Sequence, residues 1–153
     1  MDPALAALRR KLTTEMPVTQ RLGIRLLGFL RGGARLHAPL AANINHLGTA
    51  FAGSLNAVAT LAGWATVWLL LRRRGHGAHV VIQDSSVRYL RPVTSDFEAV
   101  CEAPREEQVA HLLRSLARRG RGRIELQVTV RDDVGDAIAF RGRYVAFREN
   151  LNR

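Results

Sequence analysis

Few side chains in this 153-residue chain are suited to chemistry, and most fall in two stretches. In "VVIQDSSVRYL", strict alternation puts Ile82, Asp84, Ser86 and Leu90 on one face. An acid sharing a face with Ile and Leu is half-buried, and burial raises a carboxyl's pKa toward the range of a general base. Arg88 and Arg91 flank Tyr89 in the same region, an arrangement suited to the phosphates of a nucleotide. In "FAGSLNAVATLAG", Gly53, Asn56, Thr60 and Gly63 share one flank of a 3.6-residue wheel, where Asn56 can orient a water. His46 sits in a loop beside Asn45, and Arg118, Arg119, Arg121 and Arg123 form a second basic cluster around Gly120. Cys101 has no partner for a disulfide, and no Cys and His pair has the spacing of a zinc site, so no metal is expected.

These residues must be positioned by a small set of elements. Leu5, Leu8 and Leu12 recur at helical spacing and predict a short helix over 4–16, ending before Pro17. "IRLLGFLR" and "ARLHAPLA", separated by Gly32 and Gly33, predict a hairpin. A long uncharged run from Phe51 to Leu71 ends in three arginines and predicts a helix over about 50–73. A strand closed by Pro92 follows, then a strand in which Phe97, Ala99, Cys101 and Ala103 alternate with Glu98 and Glu102. Pro104, the acids Glu106 and Glu107, the bases Arg118 and Arg119 and then Gly120 mark a second short helix over about 105–119. "RIELQVTVR" is a strand with Ile124, Leu126, Val128 and Val130 on one face, and "AIAFRGRYVAF" returns after the turn "DDVGD". About six strands in one antiparallel sheet need their apolar face covered, and the long helix is the element able to cover it. The long run meets the length criterion of a membrane span. Its small and polar residues, and the amphipathic strands around it, favour a core helix in a single α+β domain over 1–153.

The formal charge of +10, with every base but Lys11 an arginine, invites a nucleic-acid partner. The arginines are dispersed, however, and aromatic residues do not interleave with them as a base-stacking surface requires, so no nucleic acid is expected. The acidic second residue and early arginines reverse the order of a secretory signal, and the lone cysteine suits a reducing compartment, so the expectation is a cytoplasmic protein without a membrane.

Two motifs, "NHLGTAFAG" from Asn45 to Gly53 and "VRYLRP" from Val87 to Pro92, resemble the hotdog-fold thioesterases, with "GTAFAGSL" and "LAGW" similar to a bacterial thioesterase-domain family, the YiiD C-terminal type. The likeness covers about Leu12 to Phe147. It implies a curved sheet wrapped around one long helix, an acyl-CoA or acyl carrier protein substrate, no cofactor beyond coenzyme A as part of that substrate, and a homodimer or dimer of dimers. It also implies thioester hydrolysis at the start of the long helix, where free N–H groups and the helix dipole suit an oxyanion. On that pattern Gly48 and Gly53 are motif glycines, Ala52 carries the oxyanion-donor N–H, and Asn45 positions the thioester or the water. Phe51 stands where many relatives have His, and Thr60 where many have a carboxylate. Asp84, Asn56 and Thr60 are therefore the candidates to act on water, with Tyr89, Arg88 and Arg91 as further substrate contacts. An acyl-thioester-binding module without hydrolysis is the alternative. A hydratase is disfavoured, since no paired acid and His marks the helix mouth.

Overall fold

A computed structural model describes residues 2–148. The order is α1 (Pro3–Thr14), α2 (Pro17–Arg21), β1 (Arg25–Leu30), β2 (Gly33–Ala38), α3 (Ala52–Arg73), β3 (His79–Tyr89), β4 (Phe97–Cys101), α4 (Glu106–Arg119), β5 (Arg121–Arg131) and β6 (Asp136–Phe147). Each boundary has a local cause. Asp2 caps α1 by accepting from the Ala4 N–H at 2.9 Å, and Pro3 follows at the first helical position. Gly120, at φ 73°, ends α4 in the left-handed conformation just past Arg118 and Arg119.

The six strands form one antiparallel sheet in the order β1-β2-β4-β5-β6-β3. On β5 the residues Ile124, Leu126, Val128 and Val130 are buried and their neighbours are not, as the alternation predicts. Phe97, Ala99 and Cys101 of β4 are buried likewise, whereas Ala103 lies beyond the strand and is exposed. The helix α3 runs along this face and packs on β2, β3, β4, β5 and β6. Val58, Ala62, Ala65, Val67 and Leu69 are fully buried in that contact. This is the hotdog architecture, and α3, long and apolar enough to cross a membrane, is the axis of its core, with 61% of its apolar window buried. One core cluster joins helices and sheet across the described residues; Met1 and residues 149–153 of the expected domain lie outside them.

Two expectations are corrected by local geometry. The helix α2 lies between the first helix, expected to end before Pro17, and the strand expected from Ile24, because Pro17 does not merely stop α1. It occupies the first position of a new turn. Thr19 anchors that turn by donating to the Leu12 carbonyl at 2.6 Å. In β3 the register against β6 shifts between Ile82 and Asp84, leaving Gln83 in a bulge. A bulge adds a residue and inverts the alternation beyond it. Ile82 stays against the core, but Asp84 moves to the opposite face and forms an ion pair with Arg143 at 3.4 Å, its side chain 61% exposed. Ile82 and Asp84 do not share a face.

Candidate active site at the start of the central helix

The segment between β2 and α3 is a self-braced loop. Asn45 accepts from the N–H groups of Leu47 and Thr49 at 2.9 and 3.1 Å and donates to Thr49 Oγ1 at 2.8 Å and the Ala50 carbonyl at 3.5 Å. Its amide is spent on the loop rather than left to meet a substrate. Gly48 supplies the left-handed turn, at φ 77°, that closes the same loop. A residue not singled out from sequence, Asn43, ties the loop to the helix. It is only 3% exposed, donates to the carbonyls of Leu22 and Pro39 at 2.8 and 2.7 Å, and accepts the Phe51 N–H on its own carbonyl at 2.7 Å. The signal available for it was "AANIN", a polar residue flanked by apolar ones beside a helix start.

The helix therefore begins with its donors sorted. The N–H groups of Ser54 and Leu55 both donate to the Phe51 carbonyl, at 3.0 and 3.2 Å. Among the described residues the N–H groups of Ala52 and Gly53 have no acceptor, and no side chain caps the helix. Two adjacent free donors at the positive end of a 22-residue helix form an anion-binding mouth. The Phe51 ring, 55% exposed, folds back over Gly53, whose missing Cβ leaves room for it. Tyr89 reaches the same point from the end of β3 and donates to the Ala52 carbonyl at 3.3 Å.

Polar groups continue along α3 from this mouth. The Oδ1 of Asn56 is buried without a hydrogen-bond partner among the described residues, an arrangement rare enough to call for a ligand or water. Thr60 lies one turn further on the same side. Whereas Thr66 returns its hydroxyl to the Ala62 carbonyl at 2.8 Å, the Thr60 hydroxyl makes no hydrogen bond among the described residues. Thr60 also lines an apolar cavity of about 300 Å³ together with Ala57, Leu61 and Ile82. The seam itself is tight: the Tyr144 ring lies against Gly63, and its hydroxyl donates to the Thr60 carbonyl at 2.7 Å. Burial pushes the Tyr144 phenol well above its ordinary range, so it acts as a donor and not as a base.

The structure thus brings Phe51, Ala52, Gly53, Asn56, Thr60 and Tyr89 together and sets Asp84, Arg88 and Arg91 apart. Asp84 and Arg88 lie on the outer face of the sheet. Arg91 is consumed by the β5–β6 turn: it donates to Asp132 at 2.5 and 3.1 Å and to the carbonyls of Pro92, Gly135 and Asp136. The Arg91 guanidinium beside Asp132 holds that carboxyl well below the usual carboxylate range. None of the described carboxylates bonds to residues 51–60, and no cluster of metal ligands occurs among the described residues.

A curved antiparallel sheet around one helix, with a donor pair at the helix mouth, defines a hotdog protein of the thioesterase kind. Residues 5–148 match the family described as "Putative thioesterase (yiiD_Cterm)", and the chain belongs to that family. A "putative thioesterase" from Shewanella oneidensis is similar in structure, with a TM-score of 0.85 and 34% identity over 97% of this chain and 100% of that one. A protein of unknown function from Chlorobaculum tepidum superposes with a TM-score of 0.90 at 27% identity, covering 94% of each chain. A thioesterase from Haemophilus influenzae, at 19% identity, TM-score 0.75 and coverage of 97% and 94%, shares the fold.

Proposed function

We propose that this protein hydrolyses acyl-CoA thioesters at the N-terminus of α3. The observation that carries the reading is the pair of N–H donors on Ala52 and Gly53, one turn from the Asn56 Oδ1, all without a partner among the described residues. The thioester carbonyl oxygen lies against the two N–H groups, where negative charge developing on it is stabilised by donors that need no reorganisation. A water held by Asn56 and Thr60 attacks the acyl carbon and forms a tetrahedral oxyanion. Collapse breaks the carbon–sulfur bond and releases the carboxylic acid, and the departing thiolate takes up the proton lost by the water. With Thr60 in place of a carboxylate the water is positioned without a strong base, so turnover rests on orientation and oxyanion stabilisation.

No metal or further cofactor takes part, and the protein works in the cytoplasm. A homodimer is formed through β3, one of the two edges of the sheet. Its free side is flanked by Val81, Tyr89, Leu90 and Phe51, each about half-exposed, and an 11-residue edge strand of this kind favours pairing with a second copy.

A non-hydrolytic thioester-binding module is the second reading, favoured by the absence of any described carboxylate bonded to residues 51–60. Free-thiol release from a panel of acyl-CoAs separates the two, since only a hydrolase releases thiol above background while binding the ester.

A further inference from the structure

We infer that the apolar cavity beyond Thr60 is the acyl-chain pocket, that Trp64 is its end wall, and that the preferred acyl group is of medium length. This rests on the thioester reading of the helix mouth and names the substrate for it.

The cavity is placed to receive a chain whose carbonyl sits at Ala52 and Gly53. Its first wall residue on the helix, Ala57, is four residues past Gly53, about 6 Å along the axis. From there Leu61 continues one side, Val18, Leu22 and Ile24 of the α2 region form the roof, and Ile82 of β3 the opposite side. Thr60, one turn past Asn56, marks the polar entrance, and the lining beyond it is almost wholly hydrocarbon. The α2 segment is held there by the buried Thr19 hydroxyl and by Asn43, which donates to the Leu22 carbonyl.

The far end is formed by Trp64 with Met16 beside it. Trp64 lines this cavity and also a second one of about 400 Å³ bounded by Trp68, Arg72 and Val80, so it stands between the two together with Met16. Its ring is fixed from two directions. The indole N–H donates to the Val80 carbonyl at 2.8 Å, and the ring stacks on Trp68 with centroids 6.2 Å apart. Arg72 lies over the other Trp in turn, 5.8 Å from its centroid. A partition so held stops a growing chain rather than yielding to it.

The volume gives the length. An apolar cavity of roughly 150 Å³ holds a benzene ring, so one twice that size holds on the order of a dozen carbons. With loose filling and the few carbons between the helix mouth and Ala57, acyl groups of roughly eight to twelve carbons fit. Up to that length each added methylene should tighten binding about fourfold, and beyond it the gain should stop.

The test uses non-hydrolysable S-alkyl-CoA thioethers of four to sixteen carbons, titrated calorimetrically below their micelle concentrations, in parallel with thiol release from the matching acyl-CoAs. The expected wild-type result is affinity that climbs to about ten carbons and then levels. Trp64→Ala should join the two cavities and improve the sixteen-carbon ligand about tenfold relative to the eight-carbon one. Trp64→Phe, which keeps a ring at the wall, should leave the cut-off near its original length. Ala57→Leu, filling the entrance without touching Trp64, should weaken the ten-carbon ligand about tenfold and spare the four-carbon one. Affinity independent of chain length, or a cut-off that neither Trp64→Ala nor Ala57→Leu moves, overturns the assignment. Graded thioether binding without thiol release would retain the pocket and refute hydrolysis. No binding at any length would refute both.

Discussion

The Tyr144 hydroxyl donates to the Thr60 carbonyl at 2.7 Å, which ties β6 to the turn of α3 that carries the candidate site's polar side chains. Tyr144 is fully buried, so the bond is shielded from water. Tyr144→Phe should lower stability by about 0.5–1.5 kcal/mol, read from urea unfolding, and leave the fold intact.

Gly63 is required by the same contact. A Cβ there would stand 2.5 Å from Tyr144 Cζ and 2.6 Å from Cε2, closer than packed atoms come. Gly63→Ala should therefore cost about 1–3 kcal/mol by overpacking. Combining it with Tyr144→Phe should relieve only part of that cost, because the ring atoms remain. Urea midpoints of the single and double variants measure this.

Asn45 gives an opportunity to separate two roles. Its amide is engaged within the loop, so Asn45→Ala should destabilise by about 1–3 kcal/mol and lower the melting temperature by several degrees, at about 2–4 °C per kcal/mol. A large fall in kcat with an unchanged melting temperature would instead assign Asn45 to the substrate.

Gly53→Ala keeps the backbone donor but places a methyl group where the Phe51 ring lies. The ring is exposed and can swing away, so stability should change little, by about 0.5 kcal/mol. The helix mouth is reshaped, however, and a misplaced substrate costs up to about a hundredfold, so kcat/KM for an acyl-CoA should fall by at least about tenfold. Thermal melting and steady-state kinetics on one preparation check both halves.

Stability should depend on pH at both extremes for identifiable reasons. The folded pKa of Asp132 is lowered by Arg91 and by the N–H groups of Thr94, Val134 and Gly135. Its contribution is therefore full above the ordinary value of 3.8 and lost as pH falls below it. Cys101 moves the other way, pushed by burial from 9.0 up to about 11. Its neutral thiol favours the folded state below pH 9, and that contribution is lost as pH rises from there toward about 11. Urea midpoints should fall at both ends, with Asp132→Asn flattening the acid limb and Cys101→Ala the alkaline limb.

The elements that read cleanly from the sequence are those whose burial follows a simple period. The alternation of Ile124, Leu126, Val128 and Val130 and the capping residues around α4 report local physics, and the structure follows them. Asp84 was misplaced because a single bulged residue, Gln83, inverts a face without leaving a mark in the hydrophobic pattern. Arg91 and Asn45 each carry the right chemistry for a site, but their partners lie in a turn distant in sequence or in their own loop. Trp64 as a wall, and the α2 region as a roof, follow from how distant segments meet across α3, which periodicity cannot report. At the helix mouth, the motif from Asn45 to Gly53 points to the candidate site, while the donors left without an acceptor among the described residues follow only from the hydrogen-bond pattern.

The most direct test is the release of free thiol from octanoyl-CoA by wild type, Asn56→Ala and Thr60→Val, each shown to be folded. The account predicts turnover by wild type and a loss of kcat of about a hundredfold in Asn56→Ala, with Thr60→Val also impaired and the ester still bound by both variants. Tight binding of octanoyl-CoA by wild type with thiol release no faster than the uncatalysed reaction would contradict it and establish the protein as a binder of thioesters.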